Sequence, residues 1–188
     1  MRVIAGEYKS HRLSALPGMK TRPTSDRLRE TLFNVLAGGD PSALSGTVWL
    51  DLFAGTGAVG IEALSRGARH VIFVDSGKTA VKVIRENLKS LGIRGGFDIV
   101  ESDMRRSLRQ LDSSGTIADY IFIDPPYADS DAYTQTIEFL SQSQILKENS
   151  VVIAEHDKRF DPGDLFESLR RTRILKQGDS TLSFYRLS

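Results

Sequence analysis

Apolar runs of strand length alternate with amphipathic segments along most of this chain. The runs lie at residues 47–53, 70–75, 97–103, 118–124 and 150–156. The segments between them carry apolar residues at helical spacing, as in residues 78–92, where Val81, Ile84 and Leu88 share one stripe. Strands that alternate with helices in this way pair in parallel and are covered on both faces. The pattern therefore predicts a doubly wound α/β fold.

The two ends of the chain depart from this alternation. Residues 171–187 form two β-like halves around a turn signal, which predicts a closing hairpin and one antiparallel edge strand. Residues 1–16 are predicted to form a small hairpin. A helix is predicted to follow it, with Thr24 or Ser25 as the N-cap.

Glycine, proline and serine cluster at residues 37–46, which predicts a boundary between two units. We expect an N-terminal extension over residues 1–45 and a larger domain over residues 46–188. Residues 1–37 hold seven basic and three acidic side chains, although the whole chain has a net charge of only +1. A basic segment on a nearly neutral chain is typical of an arm that binds a polyanion, and a solvated basic face is the alternative.

Composition excludes several classes of chemistry. The chain of 188 residues has no cysteine, so disulfides, cysteine-ligated zinc and thiol nucleophiles are excluded. The three histidines are scattered and show no metal-ligand spacing, so we expect no metal. No apolar stretch approaches the length of a membrane span, and no signal peptide opens the chain. We therefore expect a cytoplasmic protein that does not contact a membrane, and as a separate expectation we take it to be a monomer.

Residues 51–60, DLFAGTGAVG, carry the glycine spacing of a nucleotide-binding turn directly after the first predicted strand. Gly55 and Gly57 would let the backbone turn sharply and approach a ligand closely. Asp75 ends the second strand 20 residues after Gly55, where a carboxylate can bind ribose hydroxyls. NAD, FAD and S-adenosylmethionine all carry an adenosine ribose, so the glycines leave all three cofactors open.

Two further acids favour S-adenosylmethionine over a dinucleotide. Asp51 stands at the head of the turn, where it would repel a pyrophosphate but suits a sulfonium and an amino group. Asp103 ends the third strand, within predicted reach of an adenine amino group. Each acid alone could equally be a loop or helix cap. The predicted cofactor site consists of Asp51, Phe53, Ala54, Gly55, Thr56, Gly57, Asp75, Ser76, Asp103 and Met104.

The segment Asp124-Pro125-Pro126-Tyr127 directly follows the fourth strand, where a doubly wound sheet places its active site. Prolines lack an N–H and restrict the preceding residue, so this turn offers acceptors and few donors. We predict that the Asp124 carboxylate and the Pro125 carbonyl accept both N–H groups of a nucleobase amine, whose lone pair then faces a methyl group. Tyr127 is predicted to stack on the extruded base. The two prolines could instead simply end the strand.

The motifs at residues 51–68 and 124–127 together resemble amino-group nucleic-acid methyltransferases. RPTSDRLRETLFN at residues 22–34 narrows the likeness to the bacterial family that methylates N2 of a guanine in 16S ribosomal RNA. The resemblance implies a Rossmann-like class I methyltransferase with a seven-stranded sheet, S-adenosylmethionine as donor and S-adenosylhomocysteine as product. It also implies the small ribosomal subunit or its assembly precursor as substrate. The candidates for RNA contact, or for ordering a lid over the site, are then Lys9, Arg12, Arg22, Arg27 and Arg29.

Three other functions remain open. A DNA or other RNA amino-methyltransferase acting on adenine N6 would share residues 124–127, although this chain has little room for a separate target-recognition domain. An NAD(P)-dependent oxidoreductase would explain the glycines and Asp75 but would leave residues 124–127 without a role. A non-catalytic RNA-binding module would keep the basic arm but would not need acids at the ends of the strands.

Overall fold

The computed structural model describes residues 1–16, 24–126 and 129–188. Within these ranges the α-helices are Asp26–Ala37 (α1), Ala58–Ser65 (α2), Lys78–Ser90 (α3), Met104–Ser113 (α4) and Ser130–Gln142 (α5). The strands are Val48–Leu52 (β1), His70–Asp75 (β2), Phe97–Glu101 (β3), Ala118–Ile123 (β4), Leu146–Asp157 (β5), Leu165–Phe166 (β6), Leu169–Gln177 (β7) and Ser180–Leu187 (β8). Of the helices in the described ranges, none is both long and apolar enough to cross a membrane.

The strands form one sheet in the order β3-β2-β1-β4-β5-β8-β7-β6. The strands β1 to β5 pair in parallel, whereas β8 runs antiparallel to β5 and to β7, and β6 runs antiparallel to β7. The predicted α/β fold with a mostly parallel sheet and an antiparallel edge is therefore confirmed. The predicted count of seven strands is wrong, because the described residues form eight. The strand β6 has two residues, too few for alternation to show in the sequence.

Apolar side chains cover the sheet on both faces. One buried cluster joins Leu32 of α1, Ile61 of α2 and Ile84 of α3 to one face. A second cluster joins Leu108 of α4 and Ile137 of α5 to the other face. The strand order reverses between β1 and β4, and ligands of doubly wound sheets bind beyond the carboxyl ends of the strands at such a point.

The N-terminal part of the chain forms the predicted hairpin and helix. Arg2 and Arg12 make an antiparallel bridge across the hairpin. The helix α1 begins after Ser25, whose side-chain oxygen accepts a backbone N–H of the first turn, so Ser25 rather than Thr24 is the N-cap. It ends at Gly38, whose φ of 57° lies in the left-handed region that closes many helices.

Candidate active site

The glycine turn between β1 and α2 has a conformation that larger residues would strain. Gly55 and Gly57 have φ values of 56° and 76°, and Phe53 also lies in the left-handed region at 61°. A Cβ atom on Gly60 would lie 2.3 Å from the ring of Phe73, so α2 can pack on β2 only where this residue has no side chain. The turn therefore brings the N-terminus of α2 to the carboxyl edge of the sheet, where its N–H groups can meet a ligand.

Asp75, at the end of β2, supports this turn from the side. Its Oδ2 accepts the N–H of Gly55 and its Oδ1 accepts the N–H of Gly77, both at 2.8 Å. Each carboxylate oxygen has a second lone pair, and Asp75 is half-buried, so it can also accept hydrogen bonds from a ligand. The ribose contact stays a prediction, and the bond to Gly55 is a supporting role that the sequence spacing did not reveal. Ser76 beside it is exposed.

Asp51 lies within β1, and only 2% of it is exposed. Its Oδ2 accepts the N–H of Gly60 at 2.8 Å and so holds the first turn of α2 against the strand. Burial raises the pKa of Asp51 to about 7, the hydrogen bond from Gly60 lowers it, and the charge of Asp75 raises it. A cationic group of a ligand above this carboxyl group would favour its charged form.

The raised pKa of Asp51 predicts a pH-dependent stability. A carboxyl group whose pKa is higher in the folded than in the unfolded chain stabilises the fold fully at low pH, and this contribution is lost as the pH rises through the folded pKa of about 7. We expect Asp51→Asn to flatten the fall in the free energy of unfolding between about pH 4 and 7. Urea denaturation of wild type and Asp51→Asn across this pH range measures the free energy of unfolding of each. Asp131→Asn, at the exposed start of α5, is the control. Equal slopes for wild type and Asp51→Asn would contradict the prediction.

Asp103 is the N-cap of α4, and its Oδ1 accepts the N–H of Arg106 at 3.0 Å. The cap that the sequence left as an alternative is thus present, while the adenine contact stays a prediction. Met104 is half-buried against the core that also contacts Phe53. The other turn residues of the predicted cofactor site, Ala54 and Thr56, are buried.

Asp124 follows β4 directly and lies beside the end of β1. Its N–H donates to the carbonyl oxygen of Leu52 at 3.4 Å. Burial raises the pKa of Asp124 well above its ordinary value, and the negative charges of Glu155 and Asp51 raise it further, whereas a hydrogen bond from Thr24 lowers it. Three acids from adjacent strands therefore meet next to the glycine turn, as the carboxyl ends of parallel strands allow.

The Pro-Pro turn after Asp124 is anchored from helix α5. The hydroxyl group of Tyr133 donates to the carbonyl oxygen of Glu155 at 2.8 Å and lies 3.4 Å from the carbonyl oxygen of Pro125. Pro125 is buried and Pro126 is exposed. Tyr127 lies outside the described residues, so its predicted stacking role has no structural test here.

Two buried polar contacts near this turn join distant parts of the chain and were not predicted. Thr24, just before α1, donates from Oγ1 to Oε2 of Glu155 at 2.6 Å. His156 is within 2.9 Å of the Ser183 hydroxyl through Nε2, and burial lowers its pKa. This contact ties the end of β5 to β8. Within the described ranges, no group of three or more His, Asp or Glu side chains could hold a metal ion.

The basic residues that were predicted to contact RNA have different environments. The exposed ones are Lys9, Arg12 and Arg27. Arg22 lies outside the described residues. Arg29 is fully buried, and its guanidinium donates to the carbonyl oxygen of Arg2 and, at 2.9 Å, to Oδ1 of Asp26. An enclosed guanidinium offers no surface to a phosphate, so the position of Arg29 argues against direct RNA contact, whereas its other predicted role, ordering a lid over the site, stays a prediction.

Glu62 of α2 attaches the N-terminal hairpin to the helix that begins at the glycine turn. Its Oε2 accepts the N–H of Ile4 at 2.7 Å and its Oε1 accepts the N–H of Ala5 at 3.0 Å. The same buried carboxylate pairs with Arg66 at 2.7 Å and with Arg29 at 3.8 Å. The sequence pattern gave no sign of this anchor, because Glu62 follows the motif on a helix where an exposed charge would be ordinary.

Comparison with known proteins finds relatives along almost the whole chain. A family model described as Conserved hypothetical protein 95 matches residues 1–186. "Putative rRNA methyltransferase YlbH" of Bacillus subtilis is 35% identical over 99% of this chain and 98% of that protein. Ribosomal RNA small subunit methyltransferase D of Haemophilus influenzae is 33% identical over 84% of this chain and 79% of that protein. The solved structure described as "Putative methyltransferase yhhF from Escherichia coli" has a TM-score of 0.82 at 27% identity, over 100% of this chain and 98% of that chain.

Proposed function

The chain belongs to the Conserved hypothetical protein 95 family and is similar to ribosomal RNA small subunit methyltransferase D, and on this premise we propose that it is an S-adenosylmethionine-dependent ribosomal RNA methyltransferase. Its target in this proposal is the N2 amino group of a guanine in 16S ribosomal RNA, within the small subunit or its precursor. One observation carries the proposal: a turn rich in acceptors lies against the glycine turn, with Asp124 donating its N–H to Leu52 at 3.4 Å.

The residues around the glycine turn suit S-adenosylmethionine. A methyltransferase of the same fold is complexed with S-adenosylhomocysteine, although at 18% identity that likeness concerns the fold alone. The donor carries a positive sulfonium and a positive amino group, which the carboxylates of Asp51 and Asp75 attract. Asp75 also accepts hydrogen bonds from the ribose, and Asp103 from the adenine amine. When bound, the donor supplies an electrophilic methyl group.

The residues of the Pro-Pro turn prepare the amine. A guanine N2 amine is a weak nucleophile because its lone pair is delocalised into the ring. The Asp124 carboxylate and the Pro125 carbonyl accept its two N–H groups, which favours a pyramidal nitrogen with its lone pair toward the methyl group. Tyr127 stacks on the base. The methylated nitrogen is strongly acidic, so Asp124, whose raised pKa suits it to hold a proton, or a water molecule takes the proton.

Residues 1–45 act as the RNA-binding extension in this proposal, and residues 46–188 act as the transferase domain. Lys9, Arg12 and Arg27 are exposed, so phosphates can reach their charged groups from solvent. Each phosphate that they neutralise should add about 0.7 to 0.9 to the salt-dependence slope of RNA binding.

Transfer of labelled methyl groups to small ribosomal subunits tests this function. The subunits come from a strain that lacks the enzyme, and mass spectrometry identifies the modified base. We expect label on guanine N2 of 16S ribosomal RNA, and none on control subunits from a strain that carries the enzyme. Label on adenine N6 would instead support the alternative, an amino-methyltransferase that acts on adenine N6. Tight binding of NADH, with no affinity for S-adenosylmethionine, would replace the proposal by an oxidoreductase.

A further inference from the structure

A groove of about 420 Å³ lies between the C-terminal end of α3 and the start of β3. Its floor is apolar and is formed by Leu88, Ile93 and Phe97. Its walls carry three exposed cations, Arg85, Lys89 and Arg94. We call this surface the cationic groove.

The three cations of the groove differ from the other basic side chains nearby. Lys82, one turn earlier on α3, pairs with Glu86 at 3.8 Å. In the described part of the chain, no carboxylate lies within ion-pair distance of the groove cations, and no acidic residue lines the groove. The C-terminal end of a helix carries only about half a negative charge, so three full positive charges dominate the local field.

The cationic groove lies on the same face of the sheet as the N-terminal hairpin. Leu13 of the hairpin belongs to the same buried cluster as Leu88. Asn87 of α3 accepts the N–H of Ser14 through Oδ1 at 2.8 Å, which fixes the hairpin beside the helix. The hairpin that carries Lys9 and Arg12 and the helix that carries Arg85 and Lys89 therefore pack side by side on one face of the sheet.

The groove and the candidate active site lie at opposite edges of the sheet. Phe97 opens β3 in the same register row as Val71, Trp49 and Tyr120, whereas Asp124 follows the end of β4. With about 3.3 Å per residue along a strand and about 4.8 Å between strands, the groove is roughly 20 Å from Asp124. A molecule that reaches both places must extend well beyond a single nucleotide.

We propose that the cationic groove binds the phosphate backbone of the RNA substrate at a distance from the target base. This inference rests on the proposed function, which supplies RNA as the partner. Phosphates match a surface of unpaired cations, and Arg85 and Lys89, four residues apart on a helix, project side by side along one face. An acidic protein would satisfy the same charges, but the shared face with the basic hairpin favours a single polyanion that runs along both.

The test compares RNA binding by wild type and by Arg85→Ala/Lys89→Ala/Arg94→Ala over a range of salt concentrations. The probe is a 16S ribosomal RNA transcript, and assembled small subunits are measured in parallel. We expect the dissociation constant of the triple variant to rise roughly tenfold or more at low salt and its salt-dependence slope to fall by about two. Lys82→Ala is the matched control and should bind as wild type does. Arg85→Lys/Arg94→Lys keeps the charges and should retain the affinity for RNA.

S-adenosylmethionine affinity separates a binding role from a structural one, because the triple variant should bind the donor as wild type does. Unchanged affinity and slope for the transcript would overturn the proposal. Loss of affinity for assembled subunits alone, with the transcript bound normally, would also overturn it in favour of an acidic protein partner. A wild-type protein whose RNA binding depends on the groove but which transfers no methyl group would overturn the proposed function and leave the groove proposal standing.

Discussion

Asp124→Asn is expected to lower the turnover number for methyl transfer by about 100-fold or more, because it removes the charged acceptor that binds the substrate amine. The affinity for S-adenosylmethionine should change little, since Asp124 faces the base rather than the donor in the proposed arrangement. Single-turnover rates and calorimetric donor binding measure the two effects separately. Asp119→Asn is the control, because Asp119 lies near the opposite end of β4, where it accepts the N–H of Val48.

The pH dependence of the same reaction gives a second readout of Asp124. Only the ionised carboxylate accepts both a hydrogen bond and a proton, so the rate should fall as the pH falls through the pKa of Asp124. Burial and the charge of Glu155 raise that pKa, so the acidic limb should lie above the ordinary carboxyl range. Glu155→Gln should move the limb to lower pH. Full turnover by Asp124→Asn would show that Asp124 does not act on the amine. So would an acidic limb that lies at the same pH in Glu155→Gln as in wild type.

Asp75→Asn is expected to produce the converse pattern. It weakens the acceptors for the ribose and for the N–H of Gly55, so the affinity for the donor should fall while the rate at saturating donor is largely kept. Together the two variants separate binding of the donor from activation of the amine.

The sequence predicted the parts of the fold that depend on local periodicity. The strand β2 has the predicted bounds of 70–75, because a short apolar run that lies between a glycine turn and a helix is typical of a buried strand. The strand β5 begins at Leu146, which pairs with Ala118, earlier than the apolar run at 150–156, because the polar residues 147–149 at an irregularity of the pairing interrupt the apolar pattern. The strand β6 is held by pairing with β7 and has no pattern of its own.

The residues of the candidate site also fall into those that a local pattern predicted and those that it missed. Asp51, Asp75 and Asp124 were found because strand ends in a parallel sheet share one edge. Contacts that close over long sequence separations were missed, such as the hydrogen bond from Thr24 to Glu155. Such contacts depend on how the N-terminal segment folds back on the sheet. Hydrophobic periodicity reports local secondary structure and carries no information about this long-range packing.

Arg29 shows that a cluster of basic residues in the sequence does not by itself predict that each of them is exposed. A basic residue on a helix next to other basic residues predicts an exposed face, and its neighbour Arg27 is indeed exposed. Arg29 is buried between two carboxylates, that of Asp26 on the same helix at 2.9 Å and that of Glu62 on another helix at 3.8 Å. Burial of a charge requires partners, and although Asp26 is close in the sequence, Glu62 became visible as a partner only in the folded chain.

Glu62→Ala is therefore expected to destabilise the protein by about 3–5 kcal/mol, because it removes the buried carboxylate that pairs with Arg66 and faces Arg29, and leaves Arg29 with Asp26 as its one remaining acidic partner among the described residues. The Nε and Nη1 atoms of Arg29 have no hydrogen-bond acceptor among the described residues, and Asp26 contacts Nη2, so Glu62 is the carboxylate that faces the Nε side of the guanidinium. The backbone N–H groups of Ile4 and Ala5 lose their acceptor at the same time. For a chain of this size the melting temperature should fall by roughly 6–20 °C, at about 2–4 °C per kcal/mol.

The hairpin should also open before the domain unfolds, because Glu62 is one of the side chains that hold it against α2. Limited proteolysis should then cleave Glu62→Ala within residues 1–16 faster than wild type. Glu86→Ala, which breaks only the exposed pair with Lys82, is the matched control and should cost less than about 1 kcal/mol. A melting temperature for Glu62→Ala as high as that of Glu86→Ala would mean that the hairpin is held by apolar packing alone. RNA affinity should fall with Glu62→Ala, because the hairpin presents Lys9 and Arg12 only while it is attached to the domain.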